Sequence, residues 1–181
     1  MGKMLFRLGR WAGLLAAVAM STWLAAGPAH ADGAREIHSL VEANKCMDVR
    51  SQDLPRDAQV QIWDCSGQPE QLWSFSFAGT DANGAALYYL SDARTRGCLT
   101  EPSGSTVGAD VRMQPCDSRR PDQKWRMELI PFTSKWVIWL NSSGLCLDLR
   151  GANASNGSHI QQYTCNGTKA QQWGPFFLTL S

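Results

Sequence analysis

Cys46-Met47-Asp48-Val49, Val60-Gln61-Ile62-Trp63-Asp64-Cys65 and Gln71-Leu72-Trp73 form a pattern that the chain uses three times. The second copy reads Cys98-Leu99-Thr100, Val111-Arg112-Met113-Gln114-Pro115-Cys116 and Gln123-Lys124-Trp125. The third reads Cys146-Leu147-Asp148-Leu149, Ile160-Gln161-Gln162-Tyr163-Thr164-Cys165 and Gln171-Gln172-Trp173. The opening cysteines are 52 and 48 residues apart, and the three Gln-x-Trp glutamines repeat at the same two intervals. Agreement at two independent landmarks marks an internal repeat, which governs the fold.

Each repeat reads as short strands. Ile37 to Val41, Leu87 to Leu90 and Trp136 to Leu140 are apolar or β-branched runs just before the opening cysteines. Clusters of Gly, Asn, Ser and Asp at 79–84, 103–108 and 151–157 mark turns. No window sustains a helical apolar period, so helices should be few and the class all-β. Open stacking of such units is conceivable, but three repeats without a capping unit favour closure on a threefold axis. Closure also removes exposed strand edges.

The chain has 181 residues, 44% apolar and 18% charged, with formal net charge +1. That excludes disorder by composition and leaves no basic excess for a nucleic-acid partner. Lys3, Arg7 and Arg10 precede an apolar run from Trp11 to Ala26, then Pro28-Ala29-His30-Ala31. This is the form of a secretory signal peptide cleaved after Ala31. The run is shorter than the ~20 residues of a spanning helix, so no membrane span is expected. The expected division is a signal peptide at 1–31 and one domain at 32–181, with repeats at about 36–77, 86–130 and 135–177. Without the three basic leader residues, 14 Lys and Arg face 16 Asp and Glu, and the secreted chain is slightly acidic. All six cysteines lie beyond the leader, and an oxidising destination favours three disulfides. Spacing leaves their connectivity open. With no Cys-x-x-Cys and only His38 and His159 beyond the leader, neither a metal nor another cofactor is expected.

Three Gln-x-Trp motifs, in phase with three cysteine pairs and with Asp beside the opening cysteine of two of them, resemble the ricin-type β-trefoil lectin domain. The resemblance extends from about Glu36 to Phe177. It implies a β-trefoil of three lobes with one potential sugar pocket per lobe, in a secreted, stand-alone protein. Its symmetry implies one bridge inside each repeat: Cys46–Cys65, Cys98–Cys116 and Cys146–Cys165. Trp73, Trp125 and Trp173 are expected as buried core around the pseudo-threefold axis. Gln71, Gln123 and Gln171 are expected to brace the backbone beside each pocket and to touch the pocket Asp. Trp136 and Trp139 have no counterparts, and core or exposed patch both stay open for them.

A sugar presents a face of C–H groups and a rim of hydroxyls, which an aromatic ring and a carboxylate or amide match. In the family, an Asp after the first cysteine accepts from hydroxyls, an aromatic two before the second cysteine forms the floor, and a polar residue two before that adds a contact. The resemblance therefore implies a site at Asp48, Gln61 and Trp63 in lobe one and at Asp148, Gln161 and Tyr163 in lobe three. Asp also caps turns, but its coincidence with Gln and an aromatic in the same lobes favours binding. Lobe two offers Thr100, Arg112 and Gln114 and reads as degenerate. The family's Asn before Gln-x-Trp is Glu70, Asp122 and Ala170 here. Glu70 still accepts a hydroxyl; Ala170 does not, which costs lobe three about 1 kcal/mol of binding. The expected partner is a carbohydrate, either galactose-type or a plant or microbial polysaccharide.

No nucleophile motif, zinc-protease motif or phosphate loop is present, and a glycosidase needs two carboxylates on one bond. Asp48 and Asp148 belong to separate lobes, so no enzyme is expected. Two other classes carry weight: the cell-binding adhesin subunit of a toxin-like complex with a separate enzymatic partner, and, lower, a trefoil protease inhibitor. Asn141, Asn153, Asn156 and Asn166 head glycosylation sequons, expected to be unmodified because the leader looks bacterial.

Overall fold

The computed structural model describes residues 33–50 and 57–174. The expected leader, its cleavage site at Ala31 and the end of the third repeat lie outside the described residues. Ten strands fall within them: β1 (Lys45–Val49), β2 (Ala58–Asp64), β3 (Trp73–Thr80), β4 (Ala86–Asp92), β5 (Cys98–Thr100), β6 (Arg112–Gln114), β7 (Trp125–Leu129), β8 (Trp136–Leu140), β9 (Cys146–Leu149) and β10 (Ile160–Tyr163). The described helical segments are single 3-10 turns.

Pairing closes the chain on itself. Arg35 bridges Trp73, β3 pairs β4, β4 pairs β7 and β7 pairs β8. Trp136 then bridges Trp173, and Trp173 bridges Ser39, which returns the circuit to its start. Three hairpins, β1–β2, β5–β6 and β9–β10, cap this barrel, one from each repeat. They are knitted together by β2–β6 pairing and by bridges from Gln61 to His159 and from Asp110 to Gln161. The architecture is a β-trefoil.

The expected strands at Leu87–Leu90 and Trp136–Leu140 lie in β4 and β8. The run at Ile37–Val41 forms isolated bridges instead, through His38 and Ser39. There the chain bends: the Ser39 hydroxyl accepts from the Val41 amide while the Leu40 amide turns to the Gln172 carbonyl. No run of successive ladder bonds survives that turn.

Trp73, Trp125 and Trp173 are fully buried among Ile37, Met47, Leu90, Leu99, Ile138 and Leu147. Each indole N–H donates to a main-chain carbonyl: Trp73 to Met47 at 3.0 Å, Trp125 to Leu99 at 2.8 Å and Trp173 to Leu147 at 3.1 Å. The only polar atom of each large apolar group is thus satisfied. A 3-10 turn precedes each: Pro69–Gln71, Pro121–Gln123 and Lys169–Gln171. In two of them proline presets φ for the first position. Cys46–Cys65, Cys98–Cys116 and Cys146–Cys165 are disulfide-bonded, each inside one lobe, closing loops worth about 3 kcal/mol each in the chain-entropy model.

Trp136 packs against the core. Trp139 lies half-buried on the outer face beneath the Arg126 guanidinium, 5.2 Å from the ring centre, and Asp81 holds that arginine at 2.9 Å. Among the described residues no helix is long and apolar enough to cross a membrane.

Replacing a buried indole should therefore be costly. Trp125→Ala is expected to lower unfolding free energy by about 3–5 kcal/mol, whereas Phe132→Asn, at a fully exposed position with positive φ, should stay within about 0.5 kcal/mol. Urea denaturation of the oxidised protein measures both.

Candidate functional site

In lobe one, register places Asp48 on β1 directly opposite Gln61 on β2, and strand alternation puts Trp63 on the same face as Gln61. The Gln61 amide donates to Asp48 Oδ1 at 2.8 Å. Gln71, at the end of its 3-10 turn, donates to Asp48 Oδ2 at 3.0 Å and to the Asp64 carbonyl at 2.9 Å. Its own oxygen accepts from the Ser66 amide at 2.7 Å, which fixes the orientation of the side-chain amide. Each carboxylate oxygen accepts one amide and keeps further lone-pair capacity. Trp63 remains 43% exposed. These groups share one cleft of about 650 Å³ with Glu70, Arg50, Asp64 and Gly157. Glu70 faces Arg94 at 3.7 Å, and its Oε2 is buried without a hydrogen-bond partner.

Lobe three repeats the arrangement. Asp148 pairs with Gln161 across β9 and β10, and Gln161 donates to Oδ1 at 2.8 Å. Gln171 donates to Oδ2 at 3.1 Å and to the Thr164 carbonyl at 2.9 Å, while its oxygen accepts from the Asn166 amide at 2.8 Å. Tyr163 is 40% exposed. One difference follows from sequence. Ala170, buried, stands where lobe one has Glu70. Arg150 donates to the Gln161 side-chain oxygen at 2.9 Å and to the Gly108 carbonyl at 2.8 Å, so Gln161 is held from both ends.

Lobe two keeps the brace without the site. Gln123 donates to the Thr100 hydroxyl and the Pro115 carbonyl, each at 2.9 Å, and accepts from the Asp117 amide. Gln114 stands at the aromatic position and is consumed internally. Its oxygen accepts from Arg120 at 2.6 Å, and its amide donates to Asp57 of lobe one at 2.9 Å. Arg120 is anchored in turn by Asp122. Neither the Arg120 clamp nor the reach of Asp57 was expected. Alignment of the repeats carries a signal for the second, since Asp57 aligns with Gly108 and Gly157.

Burial pushes the Asp48 carboxyl above the ordinary aspartate range, and the negative charges of Glu70 and Asp92 add to the rise; hydrogen bonds from Gln61 and Gln71 oppose it. Asp148 is raised by burial as well, against the same pair of glutamine bonds. Both are therefore acceptors held partly out of water, in shallow wells beside an exposed aromatic ring. Such a group gains when hydroxyls donate to it. One other cluster, Glu36, His38, Cys46 and Cys65, brings possible metal-ligand atoms together, but its two sulfurs are bonded to each other and offer no thiolate.

The model of the ricin-type β-trefoil lectin domain matches residues 33–173. No curated protein matches the chain in sequence. Among solved structures, the designed threefold-symmetric protein ThreeFoil is similar at 24% identity and TM-score 0.70, with 81% of this chain and 100% of that one covered. A ricin B-like lectin of Macrolepiota procera in complex with lactose is similar at 16% identity and TM-score 0.62, covering 77% and 91%. The C-half of an earthworm R-type lectin in complex with GalNAc follows at 20% identity and TM-score 0.55, covering 76% and 93%. The chain belongs to the ricin-type β-trefoil lectin domain family.

Proposed function

We propose that the protein is an exported carbohydrate-binding lectin that holds one sugar in lobe one and one in lobe three, and none in lobe two. The observation that carries this reading is the matched constellation in the two lobes. In each, a buried carboxylate is aimed by two glutamines and flanked by an aromatic ring that stays exposed in an otherwise well-packed fold. Trp63 and Tyr163 stand at equivalent positions, each beside its lobe's carboxylate and partly open to solvent. The carboxylate accepts two neighbouring hydroxyls, and the ring covers the sugar's C–H face. Export rests on the leader that ends at Ala31.

Lobe one is the stronger site on this account. Glu70 lines the same cleft with a carboxylate held 3.7 Å from Arg94, whereas Ala170 brings no polar side chain. Two such sites on one rigid body engage a branched or repetitive glycan with avidity that neither has by itself. Galactose, GalNAc and lactose are the first probes, because the two natural lectins above were solved with GalNAc and lactose. A toxin-adhesin would need an aromatic docking patch, which Trp136 and Trp139 could supply. Trp136 packs against the core, and Trp139, under Arg126, lines an apolar cleft of about 410 Å³ that has no carboxylate–glutamine pair of the kind in lobes one and three, so the lectin reading is favoured. No catalytic role is assigned: Asp48 and Asp148 stand in separate lobes, each enclosed by its own glutamines.

Two outcomes are expected. Asp48→Ala combined with Asp148→Ala should abolish binding across a glycan and polysaccharide array while the near-UV dichroism of the oxidised protein is retained; undiminished binding by this double variant contradicts the assignment. Binding should also fall with acid at a pH above the ordinary aspartate range, as the two carboxyls take up protons. Because these groups bind protons more readily folded than unfolded, protonating them does not oppose folding, and binding should vanish before acid unfolding begins. Calorimetric titrations across pH, paired with dichroism, test that order.

A further inference from the structure

The lobe-one cleft does not end at Trp63. Lys45 of lobe one donates to Asp64 Oδ1 at 2.8 Å and to Asn156 Oδ1 of lobe three at 2.9 Å, and Asn156 donates to Asp64 Oδ2 at 2.7 Å. Three side chains from two lobes thus close a polar ring beside the same cleft, which it meets at Asp64 and at Gly157, the neighbour of Asn156. The loop that brings Asn156 there is pinned to β2: the Gly157 amide donates to the Ile62 carbonyl at 2.9 Å, and the Ile62 amide to the Ser158 carbonyl at 2.8 Å. Gly157 has φ +88°, which favours glycine, and a Cβ there would touch Cζ3 of Trp63 at 3.9 Å. Glycine keeps that passage open.

The ring has no counterpart in the other lobes. The positions of Lys45, Asp64 and Asn156 correspond to Leu145, Thr164 and Val107 around lobe three, and Val107 is itself exposed. Lobe two has Gly97 and Pro115 at the first two. The threefold architecture does not require the ring, since the other two lobes close without it. Chemically the ring suits a second sugar. The lysine ammonium uses two of its three donors, and the Asp64 oxygens retain lone pairs, so neighbouring hydroxyls find both a donor and an acceptor.

We propose that lobe one binds an oligosaccharide of at least two pyranose units: the first sits on Trp63 and Asp48, and the second passes Gly157 to the Lys45–Asp64–Asn156 ring. This rests on the reading of lobe one as a sugar site. Lobe three, without the ring, takes single units.

Chain-length ladders test it, using oxidised protein carrying Asp148→Ala so that lobe one reports. The probes are galactose against β-1,3-galactotriose, glucose against cellotriose, and xylose against xylotriose, measured by calorimetry. In the ladder that binds, the trisaccharide should exceed its monosaccharide by about tenfold, the equivalent of about two hydrogen bonds. Asn156→Ala, at an exposed position, and Lys45→Ala should each pull that ratio toward one. Equal affinities for monosaccharide and trisaccharide in the parent, or a ratio that both variants preserve, overturn the second subsite and leave the first standing. If the folded parent binds no member of any ladder, the lobe-one sugar site itself falls, and the extension with it.

Discussion

A buried indole N–H donating to a backbone carbonyl sets the geometry of each lobe. The acceptor is always the residue immediately before the pocket position: Met47 before Asp48, Leu99 before Thr100, Leu147 before Asp148. The tryptophan that fills the core therefore also fixes the peptide from which the pocket side chain departs. Two residues earlier, the glutamine reaches the same pocket side chain and a carbonyl one residue before the second cysteine. Core, disulfide loop and site are coupled through one tripeptide. Lobe two keeps this device around Thr100 although its pocket is filled, so the brace belongs first to the fold and only then to recognition.

Differences among the sites come from neighbours. Each lobe's site is met by a positive-φ residue of another lobe: Gly157 beside Trp63, Gly108 beside Gln161, and Asp57 against Gln114. Where that residue is glycine the site stays open. Where it is Asp57, the side chain ties down Gln114, and Arg120 completes the plug. The sites are thus joint products of adjacent lobes, although each carboxylate, glutamine and aromatic comes from one repeat.

The repeat itself made the fold legible in the sequence, because Cys, Gln and Trp recur at two matching intervals, and hydrophobic burial of three equivalent indoles leaves few ways to arrange three such units. Trp136 and Trp139 were not legible. Their fates depend on the register of β7 with β8, which sets Trp139 under Arg126 and turns Trp136 toward Trp173. The expected strand at Ile37–Val41 contracted to bridges because the Ser39 turn, a side-chain bond, competes with the ladder. At the sites, residue types pointed to Asp48, Trp63, Asp148 and Tyr163. Their spacing carried no information that Gln61 and Gln161 would direct their amides at the carboxylate, since that depends on cross-strand register. The contributions of Asp57, Arg120 and Asn156 arise from contacts between residues of different repeats or from side-chain rotamers, and no pattern within one repeat carries them.

The most direct test of the account is the indole N–H region of a ¹H–¹⁵N spectrum of the oxidised protein during titration with lactose and GalNAc. The account predicts that the Trp63 signal shifts in a saturable way while those of Trp73, Trp125 and Trp173, bonded inside the core, hold still, and that Asp48→Ala removes the Trp63 shift. Saturable binding that leaves Trp63 unmoved, or that moves the three core indoles instead, would contradict it.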